Sequence, residues 1–153
     1  MHKSNLFFVV LPVFLIFLSS PAWGQSAAEI ETLLEQKEIT CAQAAYYILA
    51  ITLENPPANS DEAFAYARER GWFPSKAQSG KPVTLGYLSL LVMKAFDFKG
   101  GLMYSIAGNP RYAFREMTNR GFIVGRAYPN FTVSGERFLQ ITGNVLTHIG
   151  GGQ

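Results

Sequence analysis

The chain is poor in the residues that usually carry chemistry. Its 153 residues include one cysteine, Cys41, and two histidines, His2 and His148. A single thiol excludes an intramolecular disulfide, and the apolar helical pattern around Cys41 reads as a small core hydrophobe. His148 stands beside a glycine tail, where a Ser-His-Asp device would lack the packed neighbours that hold its imidazole. No spacing of His, Cys and carboxylates resembles a metal ligand set. Phosphate loops are also missing, because Gly100-Gly101 lacks the lysine and spacing they need. Charged residues make up only 16% of the chain. Its carboxylates are scattered, and Glu29, Glu31 and Glu35 read as a solvated helix face. The sequence therefore points to a protein that is not an enzyme and has no cofactor and no metal. Beyond short extended pieces at Trp72-Phe73 and Phe122-Ile123, nothing alternates as a strand would.

Long hydrophobic runs are limited to one. Leu6 to Leu18 is 13 residues, short of the ~20 that span a bilayer. His2 and Lys3 precede it and Ala22-Trp23-Gly24 follows, with small residues where a signal peptidase reads. Residues 1–24 are expected to be a signal peptide, which places an exported bacterial protein in the periplasm or on the cell surface. The mature chain then holds no transmembrane segment. It comprises one domain, 25–149, and a flexible tail, 150–153. Charge divides along it: residues 25–62 carry seven acids and one base, residues 63–153 four acids and eleven bases. Such a division either steers an anionic partner to the second part or cancels within the folded domain. The mature net charge of +1 gives no reason to expect nucleic acid binding.

What the chain does have is an internal echo. At a spacing of 50 residues, Ala63-Phe64 recurs as Ala113-Phe114, Arg70-Gly71-Trp72 as Arg120-Gly121-Phe122, and Val83-Thr84 as Val133-Ser134. A fixed period marks a supersecondary unit whose apolar face a sibling buries. Each copy reads as a short helix stopped by glycine, then a loop, then an apolar residue and Ser/Thr opening an amphipathic helix. Thr84 and Ser134 serve as N-caps, with Val83 and Val133 placed to staple onto Leu88 and Phe138. Ile39-Thr40 repeats this opening before Ala42, Ala45, Tyr46 and Leu49, and Thr40 with Gln43 forms a capping box. Asn59 or Ser60 caps 61–70, and Asn109-Pro110 opens the next short helix. Leu102 to Ala107 adds a helical turn. The fold class expected is all-α: three helix-loop-helix repeats, 27–54, 61–98 and 110–149, packed as a pseudo-threefold helical bundle with the longer helices clustered.

These motifs resemble the S-layer homology family. Residues 112–146 follow that family's order through Tyr112-Ala113, Arg120-Gly121-Phe122-Ile123, Gly125, Phe131, Val133-Ser134 and Phe138. Residues 62–96 follow it less closely, and 27–54 only in their second half. The resemblance implies three modules around a pseudo-threefold axis that hold an acidic cell-wall polysaccharide. The family's second helix typically opens Thr-Arg-Ala-Glu, and its Arg contributes to glycan binding. Here Thr84-Leu85-Gly86-Tyr87 and Ser134-Gly135-Glu136-Arg137 lack that arginine, so function must be argued from the site.

Candidate binding residues follow from charge and aromaticity. Arg111 and Arg115 lie four apart on one helix. Lys76 and Arg126 occupy equivalent loop positions, and Arg137 opens the last helix. Trp72, Tyr104, Tyr112, Tyr128 and Phe131 are near in sequence. Arginine forks beside aromatic platforms suit an acidic glycan, and the expected ligand-binding set is Trp72, Arg111, Arg115, Arg126, Tyr128 and Arg137. Against this, Trp72 and Phe131 read equally as core plugs, and the arginines as partners of Glu116, Glu136 and the acidic first unit. The function expected is a non-catalytic envelope module whose partner is a cell-wall glycan. The alternative is an envelope protein docked on helix 85–98, which is apolar nearly all round through Tyr87, Leu90 and Met93.

Overall fold

The computed structural model describes residues 22–151, with side chains from 27 onward. All but the last three residues of the expected leader, 1–24, lie outside the described residues. The fold is all-α, with seven helices and no strand among the described residues: α1 (Ala22–Glu35), α2 (Cys41–Thr52), α3 (Ser60–Glu69), α4 (Leu85–Ala95), α5 (Leu102–Ala107), α6 (Pro110–Asn119) and α7 (Gly135–Gly150). Helix α1 starts inside the stretch read as leader, where no proline interrupts 22–35. Gly150 belongs to α7 rather than to a tail, and 152–153 are not described. No helix among the described residues is long and apolar enough to cross a membrane. Trp72-Phe73 and Phe122-Ile123 are bends, and the isolated bridges lie elsewhere, at Thr40–Pro82 and Thr84–Thr132.

The helix ends obey local chemistry. Thr40 Oγ1 accepts from the Gln43 amide at 3.1 Å, and Gln43 Oε1 accepts from the Thr40 amide at 2.9 Å, a reciprocal box. Thr84 and Ser134 accept in the same way from Tyr87 and Arg137. Helices α3 and α6 stop at Gly71 and Gly121, both at positive φ (68° and 75°). There the Trp72 and Phe122 amides reach back to Ala67 O and Met117 O, each at 2.9 Å, satisfying last-turn carbonyls. Helix α4, which the pattern carries to 98, ends at Ala95 by the same device. Phe98 donates to Met93 O at 2.9 Å, but the left-handed position is Asp97, at φ 49°.

Packing runs between the units rather than within them. Helix α3 lies on α2, α6 on α4, and α1 on α7, so the first helix of each unit covers the second helix of the preceding one and α1 closes on α7. The expected short-then-long order fails in the first unit, where α1 has 14 residues and α2 has 12. Three backbone bonds close a cycle at the residues before the long-helix caps. Ile39 N–H donates to Val133 O (2.9 Å), Val133 N–H to Val83 O (3.1 Å), and Val83 N–H to Ile39 O (2.9 Å). All three residues are fully buried. The first amides of α2, α4 and α7, unpaired within any helix, donate onward to Lys81 O, Phe131 O and Gln36 O, at 2.9, 2.8 and 2.9 Å. Each thus takes a carbonyl from the loop of another unit.

One contact in this closure admits only glycine. A Cβ on Gly135 would stand 1.6 Å from Leu33 O. The absent side chain lets the end of α1 sit on the start of α7.

Helix α4 is the buried centre, with Leu85, Leu88, Leu90, Leu91, Val92 and Met93 all within the core. Its apolar circumference is therefore spent on neighbours, and it does not offer the exposed docking face that its sequence suggests. Helix α2 packs against it, and the Tyr47 ring of α2 lies 5.9 Å from the Phe138 ring of α7 between centroids.

Candidate functional site

The site is built where the second and third units meet. The start of α4 supplies Thr84, Gly86 and Tyr87, and the start of α6 supplies Asn109, Pro110 and Arg111. The two equivalent loops add Pro74 and Lys76, and Pro129 and Asn130. Together they line an open groove of about 410 Å³. Its shape follows from the closure of the fold. The Gly86 amide donates to Pro129 O at 2.8 Å, and a Cβ there would meet Pro129 O at 3.1 Å and Pro110 Cβ at 3.3 Å. A bare α4 start thus lets two rigid proline walls approach, with the half-buried Tyr87 beside them.

Charge in this groove has one sign. Lys76 and Arg111 are exposed and no acidic residue lines it. Among the described residues the one ion pair is Lys99–Asp97, at 2.9 Å and fully exposed. The arginines therefore do not pair with Glu116, Glu136 or the acidic first unit, and the two parts of the chain do not neutralise each other through contact pairs. Two cations flanking an apolar floor, with Asn109 and Asn130 at hand, can hold a carboxylate or phosphate by charge-assisted bonds while a ring or chain lies on the prolines and Tyr87.

The six residues expected to form the site scatter. Arg111 lines the groove. Arg115, one turn later, borders a separate depression with Leu102, Met103 and Tyr112. Arg137 turns its Nη2 to Val124 O (3.1 Å) and Arg126 O (3.5 Å), so its guanidinium ties the loop to α7 instead of facing a ligand. Arg126 contributes that carbonyl and leaves its side chain in solvent outside the groove. Trp72 is half-buried, edge-on to Tyr66 at 5.9 Å, and does not reach the groove. Tyr128 is exposed and packs edge-on against Phe131 at 5.1 Å, immediately before the groove residues Pro129 and Asn130. The repeat identifies Lys76 as a basic loop position, but nothing in its spacing joins it to Arg111. Pro74, Tyr87 and Pro129 carry no sequence signal of ligand contact, because the fold alone brings them together.

Elsewhere the reactive types are occupied structurally. Cys41 is 1% exposed, and burial pushes its thiol up to about 11, only partly offset by a backbone hydrogen bond. Burial likewise raises the Tyr104 phenol, with Asp97 and Glu116 adding to the shift. His148 stands edge-on to Phe122 and Phe98, at 5.2 and 6.3 Å. Among the described residues no three His, Cys, Asp or Glu side chains gather as a metal site requires. Compared with protein-family models, with curated proteins and with solved structures, the chain matches none.

Proposed function

We propose that this protein is a non-catalytic, exported envelope module related to the S-layer homology family. In this reading three copies of one helical unit share a core around a pseudo-threefold axis. It binds an anionic cell-wall polysaccharide in the groove between its second and third units. The closed cycle of Ile39, Val83 and Val133 backbone bonds supports the threefold reading. Conserving that cycle needs only extended backbone before each helix cap, which explains how so little sequence identity suffices. The observation that carries the binding reading is the proline-walled groove with Lys76 and Arg111 on it and no acid among its lining residues. Arg111 takes the place of the arginine missing after the long-helix caps, approaching the α4 start from the neighbouring unit.

The test is pull-down of the full chain on purified wall material at low and raised ionic strength, beside Lys76→Ala/Arg111→Ala and Arg115→Ala. Salt-sensitive binding that the double variant loses and Arg115→Ala keeps is the expected outcome. No binding at low ionic strength, or a double variant that binds like the wild type, removes the proposal. Free acidic monosaccharides competing for the wild type would narrow the ligand to its charged unit.

A further inference from the structure

A different surface carries an inference independent of the groove. Between α4 and α6 the chain inserts α5, whose Leu102, Met103 and Ile106 are 73%, 52% and 75% exposed. Three large aliphatic side chains together in water are unusual for a residue set that could have turned inward. The helix is not a loose excursion. Tyr104 is buried beneath it, and Gly100 leaves room for that ring, since a Cβ there would meet Tyr104 Cδ1 at 2.3 Å. The Gly101 amide donates to Glu116 Oε1 at 2.9 Å, and Gly108 leaves at φ 53° with its amide on Tyr104 O at 2.7 Å. The fold thus holds the apolar side of α5 outward.

The flanks of this tip are cationic. Arg115 lies beside Leu102 and Met103. Lys94 and Lys99 lie on the other flank, Lys94 with its ammonium 5.7 Å from the Tyr104 ring. Of the two acids nearby, Asp97 pairs with Lys99 and Glu116 holds the Gly101 amide, which leaves Lys94 and Arg115 as the cations of these flanks without an ion-pair partner among the described residues. Short apolar side chains ringed by lysine and arginine match the boundary between acyl chains and anionic headgroups. We infer that α5 is a shallow wedge that seats the protein on an anionic lipid bilayer surface, with Leu102, Met103 and Ile106 in the acyl boundary and Lys94 and Arg115 at the headgroups. The insertion is peripheral and, with three side chains, weak and salt-sensitive.

The test uses the full chain in every arm, so any contribution of residues 6–18 is common to all. A polarity-sensitive fluorophore is attached to Ile106→Cys, and to Ala65→Cys on α3 as the remote control; buried Cys41 stays unlabelled. Vesicles are phosphatidylcholine alone, or phosphatidylcholine with phosphatidylglycerol. A blue shift at 106 but not at 65, seen with the anionic vesicles and reversed by salt, is the expected result. Unlabelled Leu102→Ser/Met103→Ser should sediment with those vesicles roughly tenfold less than wild type. Three results overturn the inference: no shift at 106, equal sedimentation of the serine variant, or a shift that grows with protein concentration without vesicles. The last would mean that a second copy covers α5. None of these bears on binding to wall polysaccharide, which the groove variants test separately.

Discussion

Replacing Gly135 by alanine tests how the ring of helices closes. In isolation the change favours the helix, since alanine is better than glycine by about 1 kcal/mol in a helix interior. The structure reverses the sign, because the new Cβ would stand 1.6 Å from Leu33 O and 2.5 Å from Leu33 C, both backbone atoms that no rotamer can move. The cheapest relief is for α1 to leave. Along 27–35 only Leu33 is buried, so departure costs one leucine, about 1.5–3 kcal/mol, and the Gly135-to-Gln36 bond, about 1 kcal/mol. Net of the helix gain, Gly135→Ala should destabilise by about 1.5–3 kcal/mol in urea unfolding followed by circular dichroism. Proteolysis should accelerate before residue 40 while the rest stays protected. Gly143→Ala in the same helix has open space around its Cβ and should stabilise by about 0.5–1 kcal/mol. A valine at 135 should cost little more than alanine, because α1 has already gone. The reasoning fails if Gly135→Ala matches wild type, or if valine is far worse than alanine.

Four further outcomes follow from the same structure. Asp97→Gly should stabilise by about 1 kcal/mol in denaturant titration by relieving a left-handed position, since the exposed Lys99 pair it loses contributes little. Thr40→Ala should cost about 1–2 kcal/mol and Thr40→Ser much less, because the hydroxyl alone closes the cap. The Cys41 thiol is held neutral to about pH 11 against about 9 when unfolded. Its contribution is therefore complete below pH 9 and lost between pH 9 and 11, about 2–3 kcal/mol in all. Cys41→Ala should flatten that decline in stability-versus-pH measurements. Removing 110–153 takes Val133 from the hydrogen-bonded cycle and α6 from α4, so the remainder should show no cooperative unfolding transition by calorimetry.

Local signals along the chain already determined the helices. Thr40, Thr84, Ser134 and Asn109 mark starts by hydroxyl or amide chemistry, Gly71 and Gly121 mark stops by backbone freedom, and apolar spacing marks the inward faces. Each acts within a few residues, so each is readable without the fold. Asp97 hid the end of α4, because an aspartate in the left-handed region looks in sequence like any polar residue. Helix α4's apolar circumference was visible, but whether it met solvent or neighbours depended on where α2 and α6 came to rest.

Only the tertiary structure decided which helix lies on which, and with it the site. The first helix of each unit covers a second helix of another unit because backbone amides of Cys41, Leu85 and Gly135 reach carbonyls of other units, and a backbone amide has no sequence signature. The same closure pulls Lys76 and Arg111 to one groove and turns Arg137 to loop carbonyls, although all three read alike as exposed cations. Residue type set the charge that each side chain carries. Long-range backbone bonding determined which of those charges face the groove and which are tied to the protein's own carbonyls.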